Sequence, residues 1–351
     1  FSKSIFYCCF ENTIKYATYL RFIKCQVFIL FIIMLVSTKK LFEKCYCKYG
    51  IAAVNVFTME QVLGLFAAAD ASEAPFIVQT SPVARDYSSS EMLLAMIDAA
   101  SKLYPKTVYA IHVDHGVEEH VYDAIDSKRY TSVMIDASHE DFDKNVARTQ
   151  KVVQYAHKFG VTVEAELGVL SGVEDDISIE DKYAQYTNPS DVKKFIDLTN
   201  CDSLAIAVGT SHGAYKFSGE QDIQFDILEE IQQELPGFPL VLHGGSAINF
   251  KEIQTINKYG GRLMETAKGV DSYQLKKSIQ YGICKVNIAT DIRLIWTRVH
   301  REFFIDNPEK FDPIIPGKTY VEEQKKFLIE KFELLGATGK AKDFQQVEIL
   351  V

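Results

Sequence analysis

The sequence predicts a single TIM (β/α)8 barrel with a C-terminal helical extension, and three observations predict it. Eight short apolar runs rich in β-branched residues alternate with longer segments of helical periodicity. No proline- or serine-rich linker interrupts residues 34–351. Finally, His115, His212 and His243 each stand just past an apolar run, at the strand ends where such a barrel carries its functional groups.

Strands and helices follow one another in the order that a barrel requires. The eight predicted strands are residues 51–57, 75–80, 107–113, 132–136, 161–166, 203–209, 238–243 and 283–288. The predicted helices include 89–104, 142–159, 191–199, 222–235 and 249–258. The chain from Trp296 onward is predicted to be mostly helical and to lie outside the repeat. The longer connections 168–188 and 260–271 are predicted to be loops beside the site.

Residues 1–33 are predicted to lie outside the domain. The uncharged run 25–36 has 12 residues, fewer than the roughly 20 that span a bilayer. No small-residue cleavage site of a signal peptide follows it. We therefore expect an upstream extension before a start at Met34, a first helix capped by Ser37 or Thr38, and one domain over residues 34–351.

The composition narrows the class of partner. The net charge is −9, and no basic tract interleaved with aromatic residues occurs, so we expect no nucleic-acid partner. No segment predicts a membrane partner. The seven cysteines are scattered without a C-x-x-C pair, which favours a reduced, cytoplasmic compartment. A small anionic substrate would then need a local basic pocket.

The three strand-end histidines predict a metal centre. His115, His212 and His243 come from three different strands. Three neutral imidazoles that converge in this way form an open Zn²⁺ site with one coordination position left for substrate. A metal-dependent enzyme is therefore the first functional hypothesis.

Carboxylates occupy neighbouring strand ends. Asp114 shares a strand face with His112, and we interpret it as an acid/base group rather than as an orienting carboxylate, whereas His112 lies deeper and reads as a core histidine. His115 is expected in the loop that follows. Asp136 and Glu166 could hold the metal in a second position or orient its ligands; the alternative for both is a hydrogen-bonded polar layer.

Polar, glycine-bearing turns follow the last three strands. They are GTSHGAYK (209–216), GGS (244–246) and NIATDIR (287–293). The last loops of this fold commonly bind phosphate through backbone N–H groups and a helix start. Lys216 and Ser246 add further donors.

Together these residues resemble those of the class II, metal-dependent fructose-bisphosphate aldolases. The shared motifs run from about Met34 to Gly339 and are HVDHG (112–116), MIDAS (134–138), EAELG (164–168), GVED (172–175), VGTSHGAYK (208–216), LHGGS (242–246) and KVNIAT (285–290). The set in this order is highly specific. It implies a TIM-barrel lyase that cleaves fructose 1,6-bisphosphate in glycolysis and gluconeogenesis.

The resemblance also implies a role for each matching residue. His115, His212 and His243 would bind one Zn²⁺ per subunit, Asp114 would act on the C4 hydroxyl, and Glu174 would move the proton of the dihydroxyacetone phosphate half. The implied substrate contacts are Gly213, Lys216, Gly244, Gly245, Ser246, Asn287 and Thr290 at one phosphate, Asn55 and Ser81 at the other half of the sugar, and Arg293 at the second phosphate of a neighbouring subunit's substrate. A homodimer or homotetramer is expected, and a monovalent cation is a candidate second cofactor.

Four alternatives stay open at this point. Ala289 stands where fructose-specific members often have Asp, which leaves tagatose 1,6-bisphosphate or a related ketose bisphosphate as substrate. Lys285 points into the barrel, so a Schiff-base aldolase is a rival, although Glu164 is a plausible ion-pair partner for it. A zinc hydrolase would use the same histidines. A non-catalytic zinc or sugar-phosphate sensor would not need Asp114 and Glu174.

Overall fold

The computed structural model describes residues 35–170, 172–174, 177–179, 185–211, 222–246, 250–265 and 269–344. Its strands are β1 (Ile51–Asn55), β2 (Phe76–Thr80), β3 (Tyr109–Gly116), β4 (Ser132–Ile135), β5 (Thr162–Leu167), β6 (Gly172–Glu174), β7 (Ile177–Ile179), β8 (Ser203–Ile206), β9 (Leu240–Leu242) and β10 (Ile283–Ile288). Within the described residues, eight parallel strands close into a barrel in the order β1-β2-β3-β4-β5-β8-β9-β10. The predicted TIM barrel is confirmed. The predicted extension 1–33, with Met34, lies outside the described residues.

Helices surround the barrel. They are α1 (Thr38–Cys45), α2 (Met59–Ser72), α3 (Pro82–Ser88), α4 (Ser90–Leu103), α5 (Glu118–Asp126), α6 (Phe142–Ala156), α7 (Pro189–Thr199), α8 (Phe225–Glu234), α9 (Phe250–Lys258), α10 (Ser272–Ser278), α11 (Thr290–Asp306) and α12 (Ile314–Leu334). The barrel strands are almost entirely buried, because parallel strands are covered on both faces, and they therefore read in the sequence as apolar runs. Within the described residues, no helix is long and apolar enough to cross a membrane.

Helix α1 closes the amino-terminal end of the barrel. Ser37 caps it, since its Oγ accepts a hydrogen bond from the Lys40 amide at 3.3 Å. The next residue, Thr38, lies with its Oγ1 2.6 Å from Thr162 Oγ1 and 3.3 Å from Ser132 Oγ. Ser132 and Thr162 are the first residues of β4 and β5, so α1 seals the end opposite to the strand termini that carry the site.

The last long helix, α12, packs against the outer layer of helices. Helix α12 packs on α2, where Gln324 Nε2 donates to the Gln61 carbonyl at 3.0 Å. A Cβ at Gly64 would lie 3.1 Å from Gln324, so glycine permits this close approach. Trp296 was predicted to begin the extension, and this is wrong: it lies inside α11, the helix that follows the eighth barrel strand. The extension outside the repeat is α12.

The connection 168–188 is not a plain loop. It contains the antiparallel hairpin of β6 and β7, paired from Gly172↔Ile179 to Glu174↔Ile177. Each strand has three residues, too few for an alternating pattern to stand out in the sequence. The hairpin places the backbone of Glu174 at the end of β6.

Candidate active site

Strand β3 supplies two adjacent residues to one site by breaking its own alternation. Successive strand side chains normally point to opposite faces. His115, however, has a backbone φ of 47°, and the pairing of β3 with β4 shifts register between Val113 and Gly116. A ligand atom of Asp114 therefore lies within 4.8 Å of ligand atoms of both His115 and His243. The prediction that His115 sits in the following loop is wrong, because β3 continues to Gly116.

A carboxylate orients the His115 ring. Asp136 Oδ2 lies 2.8 Å from His115 Nδ1, while Asp136 Oδ1 accepts hydrogen bonds from the Ser138 amide at 3.1 Å and hydroxyl at 2.8 Å. Burial opposes ionisation of Asp136, but the bonds from His115 and Ser138 outweigh it and lower its pKa. Asp136 therefore holds Nδ1–H of His115 and turns Nε2 towards the site.

His243 enters the site from the turn after β9. Its Nε2 lies 3.0 Å from Glu164 Oε1, and its Nδ1 lies 3.6 Å from Glu166 Oε2. The His115 and His243 rings meet edge to face, with centroids 4.5 Å apart. The predicted strand end at 243 is one residue too long, since β9 stops at Leu242, and the turn frees His243 from the sheet ladder.

The donor set fits a divalent cation. One group of ligand atoms comprises Asp114, His115 and His243, and a second comprises His115, Asp136 and Glu166; in each, the atoms lie within 4.8 Å of one another. Burial and the Asp136 carboxylate raise the pKa of Glu166 well above its usual value. Burial alone would lower the pKa of His115, but the carboxylates led by Asp114 raise it well above the usual value. Such an excess of buried negative charge favours uptake of a cation, and imidazole with carboxylate is a donor set that zinc accepts.

Asp114 lies at the centre of an amide network. Its Oδ2 accepts from Asn55 Nδ2 at 2.8 Å, and its Oδ1 accepts from Asn287 Nδ2 at 3.0 Å. Gln79 Nε2 donates to Asn55 Oδ1 at 2.9 Å, which fixes the direction of that amide. Gln79 is a site residue that none of the sequence motifs marks. The available signal was parity, because Gln79 and Ser81 lie two residues apart on β2 and its end.

Below the site lies a charged layer in place of the branched aliphatic side chains that usually fill a barrel. Lys285 Nζ lies 2.9 and 2.8 Å from Glu164 Oε1 and Oε2 and 3.3 Å from His112 Nε2. Burial and the nearby Lys285 charge lower the pKa of His112 well below its usual value. Because its Nε2 accepts from Lys285 Nζ, the proton of the neutral ring lies on Nδ1, which donates to Ser132 Oγ at 2.8 Å. With its three N–H groups directed at acceptors, Lys285 is an ion-pair partner rather than a Schiff-base nucleophile.

The remaining predicted residues fall into three groups. Ser81 is the N-cap of α3, and its Oγ accepts from the Ala84 amide at 3.4 Å. Two phosphate-site candidates follow the neighbouring strands β9 and β10: the turn Gly244-Gly245-Ser246 and the start of α11 at Thr290. Arg293 lies one turn into α11, with its guanidinium 5.1 Å from the Phe57 ring centre. His212, Gly213 and Lys216 lie outside the described residues, and of Glu174 the structure describes the backbone.

An eight-stranded parallel barrel with histidines and carboxylates gathered at the strand ends is the architecture of a barrel enzyme. The family model for class II fructose-bisphosphate aldolase matches residues 36–340. The fructose-bisphosphate aldolase of Giardia intestinalis is 44% identical over 308 residues, which is 86% of this chain and 93% of that protein. The Thermus caldophilus fructose-bisphosphate aldolase is 39% identical over 313 residues, 88% of this chain and 100% of that protein.

Solved structures agree with the sequence relatives. The YdjI aldolase of Escherichia coli K12 superposes with a TM-score of 0.69 and 26% identity, over 88% of this chain and 100% of that one. The chain belongs to the class II fructose-bisphosphate aldolase family, a family of metal-dependent lyases. The resemblance that the motifs indicate is thereby confirmed.

Proposed function

We propose that this protein catalyses the reversible cleavage of fructose 1,6-bisphosphate to dihydroxyacetone phosphate and glyceraldehyde 3-phosphate, with one Zn²⁺ per subunit. The observation that carries the proposal is the group formed by Asp114, His115 and His243, whose ligand atoms lie within 4.8 Å of one another. It unites an oriented carboxylate with two oriented imidazoles. His212, which follows β8 in the sequence, is the third proposed zinc ligand.

The donor set suits the metal chemistry of an aldol cleavage. A Zn²⁺ ion held by His115, His212 and His243 would act as a Lewis acid for the carbonyl oxygen of the substrate. Asp136 orients His115 through the 2.8 Å hydrogen bond. Asp136 and Glu166 also share a ligand group with His115, so a second metal position remains part of the proposal.

Two carboxylates divide the proton transfers. Asp114, held by Asn55 and Asn287, takes the proton of the C4 hydroxyl as the C3–C4 bond breaks. Glu174, at the end of β6, returns a proton to the carbon of the dihydroxyacetone phosphate half. The two functions thereby lie on different elements, Asp114 on β3 and Glu174 at the end of β6.

Two phosphate positions hold the reacting carbons in place. We assign one phosphate to Gly213, Lys216, Gly244, Gly245, Ser246, Asn287 and Thr290. Backbone N–H groups of the turn 244–246 and the start of α11 at Thr290 favour an anion. Asn55 and Ser81 line the other half of the sugar. Arg293 is assigned to the second phosphate of a neighbouring subunit's substrate, in a homodimer or homotetramer. The proposed compartment is the cytoplasm, and a monovalent cation is a candidate second cofactor.

Ala289 supports a second candidate substrate. It is the residue before α11, buried, and contributes no side-chain cap to that helix. With no carboxylate there to select one C4 epimer, tagatose 1,6-bisphosphate is the alternative.

A coupled assay with metal analysis tests the proposal. The purified enzyme should hold about one zinc ion per chain and cleave fructose 1,6-bisphosphate, and a chelator should abolish cleavage until zinc is restored. His212→Ala and His243→Ala should each lose metal and activity together. Full zinc occupancy in either variant would remove that histidine from the ligand set, and cleavage that survives complete metal removal would contradict the proposal.

A further inference from the structure

Glu164 and Lys285 form an ion pair buried in the barrel interior, with both side chains at most 1% exposed. We propose that this pair is a positioning device that fixes which nitrogen His243 presents to the metal. The inference rests on the proposed function, since it concerns the zinc site, but it assigns a role to two residues outside the donor set of that site.

The hydrogen bonds determine the tautomer of His243. Glu164 Oε1 lies 3.0 Å from His243 Nε2 and 2.9 Å from Lys285 Nζ. An ionised carboxylate accepts hydrogen bonds and donates none, so Nε2 of His243 carries the proton. Its Nδ1 is then the nitrogen with the lone pair, on the side where Glu166 lies 3.6 Å away.

The two described histidines of the site thus present different nitrogens. Asp136 holds His115 through Nδ1 at 2.8 Å, which leaves Nε2 for a metal. Glu164 holds His243 through Nε2, which leaves Nδ1. The rings stand at 73° to each other, so each carboxylate directs a lone pair from a differently oriented ring into one space.

Lys285 makes the arrangement possible. A lone buried carboxylate is costly to desolvate. A buried ion pair avoids that cost but adds little net stability of its own, so stability alone does not explain the pair. Lys285 supplies the counter-charge with bonds of 2.8 and 2.9 Å to Glu164. It is itself steadied by His112 Nε2 at 3.3 Å, which Ser132 holds through Nδ1 at 2.8 Å. These contacts connect Ser132, the first residue of β4, to His243, the candidate metal ligand.

Two double variants separate the hydrogen bond from the charge. Glu164→Gln/Lys285→Met and Glu164→Leu/Lys285→Met both remove the ion pair, but only glutamine leaves an oxygen that accepts from His243 Nε2–H. Zinc affinity is measured on metal-stripped enzyme by competition with a chromophoric chelator. We expect the leucine variant to bind zinc about 10- to 100-fold more weakly than the unmodified enzyme, and the glutamine variant to recover most of that loss.

A single variant covers the case in which a double variant does not fold. Glu164→Asp keeps the charge for Lys285 but withdraws the acceptor from His243, and it should weaken zinc binding about tenfold. The matched control is Glu118→Gln/Arg148→Met, which removes a bidentate ion pair of 2.6 and 2.7 Å between α5 and α6. This control should bind zinc as the unmodified enzyme does.

The outcomes are distinct. Equal zinc affinity in the glutamine and leucine variants, or unchanged affinity in Glu164→Asp, would overturn the positioning role and leave the proposed function standing. If the unmodified enzyme itself failed to bind zinc, the proposed function would fall and this inference with it.

Discussion

The hydrogen bonds around Asp114 indicate its chemical role. It is 1% exposed, and amides from β1 and β10 donate to its two oxygens. Both donors come from side chains that cannot titrate, so the network orients the carboxylate without competing for a proton. A group held in this way is suited to accept a substrate proton in one fixed direction.

Asp114→Asn should keep the fold and the zinc but lose the base. Asparagine is nearly isosteric but cannot accept the C4 hydroxyl proton, so we expect kcat for cleavage to fall by about 10²- to 10⁴-fold. Zinc content and the thermal midpoint, measured on the same preparation, serve as controls. An unchanged kcat would reduce Asp114 to an orienting residue.

The second residue prediction concerns substrate choice. In Ala289→Asp, a new carboxylate before α11 can accept hydrogen bonds from substrate hydroxyls. A hydrogen bond to a charged group is worth about 1.5–3 kcal/mol, which is about 10- to 150-fold in kcat/KM. The unmodified enzyme should therefore turn over tagatose 1,6-bisphosphate measurably, and the variant should select fructose more tightly.

The same variant carries an internal control. Asp is a better N-cap than Ala by about 1 kcal/mol, which offsets part of the cost of burying a carboxylate at this buried position, so the thermal midpoint of Ala289→Asp serves as the check that the variant is folded. Rejection of tagatose by more than about four decades in the unmodified enzyme would exceed what this contact supplies and would place the selector elsewhere.

At the scale of elements, the strands were predictable and several details of the site were not. Each end of the eight barrel strands lies within three residues of its predicted position, because burial on both faces leaves a plain apolar signature. Helix α2 is expected from the barrel repeat rather than from a helical period of its own, since nine of its 14 residues are buried and no polar stripe marks a 3.6-residue period. The pairing of Lys285 with Glu164 followed from parity alone. Asp114 and His115 were expected in one site, but the left-handed backbone of His115 that brings them together within β3 was not, because alternation puts neighbours on opposite faces.

Gly116 is the last residue of β3 and stands where the register between β3 and β4 shifts. A Cβ there would lie 2.6 Å from the Met134 carbonyl and 2.6 Å from Val121 Cγ2. Gly116→Ala forces β3 away from β4, so we expect a loss of about 1–3 kcal/mol in the free energy of unfolding together with weaker zinc binding. Urea titration and chelator competition measure the two effects.

A second glycine, Gly160, provides the matched control for Gly116→Ala. Gly160 has a φ of 71° and no atom within 4 Å of its would-be Cβ, so Gly160→Ala meets only backbone strain, about 1 kcal/mol, and should keep unmodified zinc affinity. If both variants bound zinc equally well, the crowding at Gly116 would have no bearing on the site.

At the scale of the whole molecule, helix α12 holds the first part of the barrel against the last. Gln324→Leu removes a buried donor and leaves the Gln61 carbonyl without its 3.0 Å bond, so the free energy of unfolding should fall by about 1–3 kcal/mol. Because α12 lies outside the barrel, kcat of the folded enzyme should not change. Glu322→Gln, at an exposed position on the same helix, is the control for urea unfolding. A lower kcat in Gln324→Leu would show that the contact between α12 and α2 influences the site.

The contacts between residues 50–73 and residues 335–341 also set an order of events during synthesis. Gly50 donates to the Leu335 carbonyl at 2.9 Å, and Gly339 and Ala341 donate to Ser72 and Glu73, each at 2.8 Å. A ribosome makes residues 50–73 long before their partners at 335–341, while domains generally fold as units as the chain emerges. The barrel therefore cannot complete these outer contacts until α12 and the residues up to 341 have left the exit tunnel. Until then the nascent chain exposes the apolar face of α2, and this is the stage at which a chaperone would have most to cover.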